Sequence, residues 1–458
     1  MRKSSKQRSF GLFMTAIMVS ALFTGCGNVS QEEKKTDSGD SGGEKKVIKL
    51  AHMFTEGEGT TTFMSDPYQW VLASVEKFEK ENPEYEVELE YIPGNDYSTK
   101  ILTDHASGIQ HDVVMLQSTY NAQAIEENAL TDISAGFSEW SKEEQDDFTW
   151  NPTWDSYEED GKLYGLPLGL HTRTIAYRKD MFKAAGLDPD TPPKDWDELI
   201  EYAQKLTKDD VWGLGIYMGP HIASSEVFIM PAAWSRGGAI FDEETQMATF
   251  NSPEVADTIQ WMYDCIYKYK VTPTWTLEGA QDESLLKPFL NGQFAMAFGI
   301  GNYWLSDLQD AGLLSGAYPA SADVDDSKVG WFVVPDETGK TFANSWGAGI
   351  SSDTTDEEGA FKLLTCMADK EILKKFVAYG GFPGRLSEFS EPEYQGKFWQ
   401  NWLDISRTGV SLKSKNYNAI IENMSAAMQE IITGEDDSKI EEVLQKYQDE
   451  FNNRYGGK

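Results

Sequence analysis

The chain has 458 residues, with 75 Asp+Glu against 40 Lys+Arg and a formal net charge of −35 at pH 7. That acidic excess argues against nucleic acid as a partner and against charge-driven docking on an anionic membrane surface. It says little about a ligand, because high acidic content commonly serves surface solubility.

Residues 1–25 read as an export signal and not as part of the fold. Arg2, Lys3, Lys6 and Arg8 form a positive n-region, residues 10–23 an apolar h-region short for a membrane span, and Phe23-Thr24-Gly25-Cys26 follows. That ending resembles the lipobox of bacterial lipoproteins, with Phe23 where Leu is usual. The resemblance implies a diacylglycerol on the thiol of Cys26, which becomes the new N-terminus; an ordinary cleaved signal with an incidental cysteine is the alternative. Residues 27–46 carry Val29 as their only aliphatic side chain. Such a segment cannot offset its ordering entropy, so residues 26–46 are expected to be a flexible tether, with the fold starting near Val47. No later run approaches eighteen apolar residues, the length of a membrane helix. Roughly 410 residues remain, for which two domains is the default.

Residues 47–51 are apolar at period two, residues 70–78 place Val71, Val75 and Phe78 on one helical face, and Tyr85, Val87, Leu89 and Tyr91 alternate with acids. A helix over 97–105 and a buried strand over 112–116 complete β-α-β-α-β, the signature of an α/β lobe. Such sheets bind ligands in the loops after their strands' carboxyl ends, here 52–60, 95–97 and 117–121. His105 and His111 read as helix and loop surface; the chain has no HExxH motif and no metal-ligand spacing.

Residues 161–182, GKLYGLPLGLHTRTIAYRKDMF, start with Gly and Pro punctuation and end in a short β-prone run, 174–177, ahead of an amphipathic segment. That is a strand leaving one globule and entering another. Gly161, Lys162, Tyr164 to Pro167, then Tyr177, Lys179, Asp180, Phe182 and Ala185 to Asp188 resemble the extracellular solute-binding proteins of ABC importers, the sugar-binding group in particular. In that family the segment is the first inter-lobe crossing, at the floor of the ligand cleft.

Further on, Asp195 and Glu198 form a D-x-x-E capping box before a helix with the stripe Trp196, Leu199, Ile200, Ala203 and Leu206. In a helix over 261–269, Trp261, Cys265 and Tyr269 recur at helical spacing, and Cys366 lies in a helix over 358–368. Both cysteines read as small buried core residues, with a disulfide between them left open. FLNGQFAMAFGIGNYW, residues 289–304, is similar to a family phrase whose polar and aromatic end faces the cleft, here Asn302, Tyr303 and Trp304. Residues 333–350 resemble the second crossing, with Trp346 near the cleft floor, and the third is expected just after Arg385. Helices over 417–432 and 438–451 close the chain.

The resemblance covers nearly all of 47–451. It implies an α/β, two-lobe periplasmic-binding-protein-like clamshell of type II, each lobe a central β-sheet flanked by helices, with three inter-lobe crossings. Its N-terminal lobe comprises 47–170 with 345–386, and its C-terminal lobe 171–344 with 387–458. A sugar has flat C–H faces and a rim of hydroxyls, so its binder needs aromatic platforms and convergent polar groups. The resemblance points to Trp234, Tyr303, Trp304 and Trp346 as platforms and to Glu56, Asp96, Gln117, His171, Arg173, Asn302 and Arg385 as polar partners, with Tyr120 and Tyr417 in reserve. Each has a plainer reading. The aromatics can be core, Asp96 an N-cap, Arg385 a cap for helix carbonyls or a partner for Asp, and His171 a holder of backbone.

The function implied is a lipid-anchored carbohydrate-binding protein on the extracellular face of the bacterial cytoplasmic membrane. It would be a monomer with no catalytic residue, cofactor or metal, delivering an oligosaccharide to an ABC permease with a separate ATPase. The chain has no G-x-x-x-x-G-K-[ST] loop, so the ATPase must be another protein. Two rivals stand: the same clamp binding a polyamine or other small polar solute, and a secreted glycoside-acting enzyme with two carboxylates across a cleft.

Overall fold

The computed structural model describes residues 45–457 apart from 55–66, 95, 222, 336–338 and 378–381. The signal segment with Cys26, nearly all of the tether, and Glu56 lie outside the described residues.

Strands β1 (Lys46–His52) and β2 (Tyr85–Tyr91) pair in parallel, from Lys46 opposite Tyr85 to His52 opposite Tyr91. β2 is an outer strand with acids at alternate positions, a pattern that discourages edge-to-edge pairing. On the other side of β1, β3 (Val113–Gln117) is buried from Val113 to Leu116, as an inner strand covered on both faces must be. Helices α1 (Pro67–Glu81) and α2 (Tyr97–Ser107) connect these strands, and α3 (Asn121–Glu126) follows β3. Trp70, Val71 and Phe78 share the buried face of α1, and the Trp70 indole N–H donates to the carbonyl of Met367 at 3.1 Å. His111 is not at the surface as expected. It is buried, its Nε2 lying 3.1 Å from the Asp104 carboxylate of α2, which supplies the polar partner a buried imidazole requires.

Three short strands then follow in succession, β4 (Leu166–Pro167), β5 (Gly169–Thr172) and β6 (Ile175–Arg178). Helix α4 (Trp196–Leu206) comes next, and the Asp195 side chain accepts from the N–H of Glu198 at 2.8 Å. The return bond lands one residue early, because the Glu198 carboxylate takes the N–H of Lys194 and not that of Asp195. Strand β7 (Trp212–Gly215), helix α5 (Pro253–Tyr267) and strands β8 (Phe294–Phe298) and β9 (Val329–Phe332) build the second part of the molecule. Strands β10 (Thr341–Asn344) and β11 (Trp346–Ile350) lead to helix α6 (Glu357–Met367), strands β12 (Phe382–Pro383) and β13 (Gly409–Val410), and the closing helices α7 (Tyr417–Thr433) and α8 (Ile440–Tyr455).

The strands form sheets in the orders β2-β1-β3-β11-β4, β9-β6-β8-β7 and β12-β5-β10-β13. In the third, β5 runs antiparallel to both neighbours, with Asn344 opposite His171 and Phe382 opposite Leu170. Four chain segments distant in sequence therefore meet in one small sheet, the third of them at Phe382–Pro383, just before Arg385, and the last at Gly409–Val410.

Apolar side chains separate into two cores. One surrounds the first sheet with Ile48, Leu50, Trp70, Phe78, Val113, Leu363 and Phe376; the other surrounds the second with Leu214, Phe228, Ile259, Phe294, Ile420 and Leu444. Cys366 is buried in the first and Cys265 in the second, each as a free thiol, so the disulfide left open by the sequence is not formed.

Candidate functional site

All four residues of β5 are buried, and the two-residue period puts His171 on the face opposite Leu170 and Thr172. The strand is tied down at its backbone. Leu168 N–H donates to the carbonyl of Trp346 at 2.8 Å and Arg173 N–H to that of Phe342 at 3.0 Å. Asn302, fully buried, spans the strand with its amide: Nδ2 donates to the Leu170 carbonyl at 3.0 Å, and Oδ1 accepts from the Thr172 N–H at 2.9 Å. The preceding Gly301 lies so close that any Cβ there would run into the Thr172 carbonyl.

Around this strand the rings converge. The His171 ring lies 5.0 Å from that of Trp346 and 6.0 Å from that of Tyr303, both edge to face. Trp346 in turn lies 4.9 Å from Phe54, and Tyr303 4.6 Å from Trp304. The Arg173 guanidinium sits 4.2 Å over the Tyr303 ring, a cation–π contact. Its Nε and Nη1 are buried without an acceptor among the described residues.

A second group stands at the start of α7. The Tyr417 hydroxyl donates to Oε1 of Glu226 at 2.7 Å, and the Tyr120 ring lies 6.0 Å from that of Tyr417, edge to face. Glu226 is only 8% exposed and belongs to a π-helical turn, Ser225–Ile229, an irregularity frequent at functional sites. Burial, then the nearby Arg173 charge, lowers the His171 pKa to about 3. The Tyr417 hydroxyl is pushed far up by burial and by Glu226, and Tyr120 is raised by burial, then Glu226 and Glu422. At neutral pH the two groups thus offer an uncharged imidazole, uncharged phenols and a fixed cation.

Of the remaining candidates, Gln117 ends β3 opposite Trp346 and is half-buried. Trp234 is half-buried in the helix Met230–Ser235 against the second core. Asp96 is exposed at the N-cap of α2 and its side chain makes no capping bond. Arg385 is engaged elsewhere: Nε donates to the carbonyl of Ala368 at the end of α6 at 2.9 Å, Nη1 lies 3.3 Å from Asp147, and the guanidinium sits 4.6 Å over Phe148. Both plainer readings of Arg385, carbonyl cap and Asp partner, are realised together.

The profile of the bacterial extracellular solute-binding proteins matches residues 64–374, more than half of the chain. The chain belongs to that family. Among relatives of this solute-binding protein is one from Sinorhizobium fredii described as a probable amino-acid ABC transporter periplasmic-binding protein, 27% identical over 51% of the chain and 50% of the relative. Another is the maltotriose-binding protein of Pyrococcus abyssi, 24% identical over 65% of the chain and 61% of the relative. The match thus spans half, or somewhat more, of these relatives' own length. Among solved structures, an ABC transporter solute-binding protein of Thermotoga lettingae bound with α-D-tagatose superposes with a TM-score of 0.72, at 22% identity over 90% of this chain and 99% of that one. The fold is the two-lobe, type II periplasmic-binding-protein fold, and the two cores are its lobes.

Glu226 and Phe54 are not singled out by the sequence patterns above. Glu226 did leave a signal, being the one charged side chain between His221 and Arg236 in an otherwise apolar and small-residue run. A carboxyl in such a run must be either partnered or functional. Phe54 left none, since a Phe just after a strand is unremarkable core.

Proposed function

We propose that this solute-binding protein is a carbohydrate receptor that closes its lobes on a saccharide, most simply an oligosaccharide, and passes it to an ABC permease driven by a separate ATPase. One observation carries the reading: the rings of Trp346, Tyr303 and Trp304 converge around β5 with an uncharged imidazole and a guanidinium whose Nε and Nη1 are buried without an acceptor among the described residues. Aromatic faces suit the C–H faces of a sugar, and the polar groups suit its hydroxyls. Each neutral hydrogen bond contributes about 1 kcal/mol net and each charged one about 1.5–3 kcal/mol, so several must act together. The ligand set we assign is Gln117, Tyr120, His171, Arg173, Tyr303, Trp304, Trp346 and Tyr417 with Glu226, while Asn302 and Arg385 hold the frame. Contacts from both lobes exist only when the lobes are closed, and that differential affinity shifts the population towards the closed state.

The maltotriose-binding relative and the tagatose-bound neighbour support a sugar. The fixed cation of Arg173 disfavours a polyamine by like-charge repulsion. The role is binding, not catalysis. The lipobox-like run ending in Cys26 supports a lipid anchor on the outer face of the cytoplasmic membrane.

The test is a thermal-shift panel of mono- and oligosaccharides, amino acids, spermidine and putrescine. A ligand at about a hundred times its dissociation constant stabilises by about 2.7 kcal/mol, a readable rise in melting temperature. A rise with sugars alone is the expected result. A rise only with amino acids or polyamines would reassign the ligand, and slow cleavage of a sugar would overturn the non-catalytic role.

A further inference from the structure

Away from the floor strand, one short segment of the second lobe reaches across to the first. Lys413 Nζ lies 2.5 Å from the Glu159 carboxylate and donates to the Glu158 carbonyl at 2.6 Å, while Lys415 Nζ lies 2.7 Å from Glu126. The two lysines stand between Leu412 and Tyr417, both buried in the second core. Their acceptors belong to the other side. Glu126 ends α3, whose Ala124 and Ile125 are in the first core, and Glu158 and Glu159 pair with Lys162 and Leu163, the latter also in that core. The backbone N–H of Lys413 is itself fixed on its own lobe by Glu243, at 3.1 Å.

These ion pairs continue the Tyr120–Tyr417 contact. Tyr120 precedes α3 and Tyr417 follows Lys415 by two residues, so the same two elements meet first through rings and then through charges. A cavity of about 360 Å³ lies among Glu126, Glu159, Glu243, Lys413 and Lys415. Water reaches it, and the pairs are partly exposed, the lysine side chains 27% and 30%.

We propose that Lys413 and Lys415, with Glu159 and Glu126, are positioning residues for ligand retention: an electrostatic clasp that holds the lobes together over the Tyr120–Tyr417 end of the site. This rests on the reading that the lobes close on a solute. The clasp does not touch the solute. It raises the fraction of molecules in the closed, binding-competent state, and the apparent dissociation constant falls by the factor by which that fraction rises. Partly exposed pairs are individually weak and are screened by salt, so the effect is several-fold and fades as ionic strength rises.

The experiment uses the full chain, the charge reversal K413E/K415E, and the paired swap K415E/E126K. Small-angle scattering of ligand-free protein reads lobe separation, and stopped-flow release of maltotriose reads retention. The reversal is expected to enlarge the radius of gyration and speed release several-fold, high salt to move the wild type the same way, and the swap to restore both towards wild type. An enlarged radius without any maltotriose binding would sustain the clasp and count against an oligosaccharide of this kind as the solute. Maltotriose binding with radius and release indifferent to reversal would overturn the clasp, as would a radius indifferent to reversal and salt in protein that does not bind the sugar.

Discussion

His171 is held uncharged by its surroundings, and that has a cost on acidification. Its pKa is lowered to about 3 in the folded protein against an ordinary 6.5. Between those values the unfolded chain binds a proton that the folded one does not, so its contribution is fully present above about pH 6.5 and is lost as pH falls towards 3. The slope from one such group is about 1.4 kcal/mol per pH unit. His52, lowered to about 4 by burial, acts in the same direction over much of the same range. Urea denaturation of wild type and His171→Gln at steps between pH 4 and 7 should show a shallower decline in the variant, by about one proton; parallel declines would mean that His171 titrates as it does in water. Tyr417 gives a second prediction. Its hydroxyl donates to Glu226, so Tyr417→Phe strips a buried carboxyl of a hydrogen bond and should destabilise by about 1–3 kcal/mol. Tyr417→Phe with Glu226→Leu should recover part of that loss, since an apolar pair leaves no polar group without a partner. A lone Tyr417→Phe with an unchanged urea midpoint would show that Glu226 is satisfied by other means.

Among the elements, the sheet β12-β5-β10-β13, at the junction of the two cores, is where position matters most. Gly301→Ala drives a Cβ into the Thr172 carbonyl, a backbone atom that cannot swing aside, so the loop after β8 or β5 itself must move. Overpacking of this kind costs about 1–3 kcal/mol, and because Tyr303 and Arg173 flank the clash it should also weaken binding of whatever solute the thermal-shift panel selects. Calorimetry of Gly301→Ala showing native stability and native affinity would sink this account of the floor. The junction was also the least readable part of the chain. Long periodic elements such as α1, β2 and α7 stand where the apolar spacing puts them, because local pattern and tertiary burial agree. β4, β12 and β13 are two residues each, too short to carry any period, and exist only because a distant strand lies alongside. The same nonlocality explains the site. Phrases resembling a family single out His171, Tyr303 and Trp346, whose rings the fold brings together, whereas Asn302 and Arg385, equally polar, turn out to bind backbone and Asp147; residue type alone does not say which acceptor folding will bring near.

For the molecule as a whole, the question is whether the two lobes unfold separately or together. Each holds one buried free thiol, Cys366 in the first lobe and Cys265 in the second, and both are poor nucleophiles while folded. Burial, then Glu81, raises the Cys366 pKa to about 12, and burial pushes that of Cys265 well above its usual range, so neither forms the reactive thiolate until its core opens. A chain of this length commonly comes apart lobe by lobe. The junction argues otherwise. Leu168 and Trp346 belong to the first core while Leu170, Phe342 and Phe382, on strands of the junction sheet, belong to the second, so neither core can dissolve without exposing strands that end in the other. Pulse labelling along a urea series, read by peptide mass spectrometry, should therefore give one shared midpoint for Cys265 and Cys366. Binding of the solute selected by the thermal-shift panel should raise both midpoints together, because a ligand stabilises only the state in which both lobes are folded. Two separated midpoints, with only one moved by ligand, would mean that each lobe is stable without the other and that the junction sheet acts as a hinge without binding the cores into one cooperative unit.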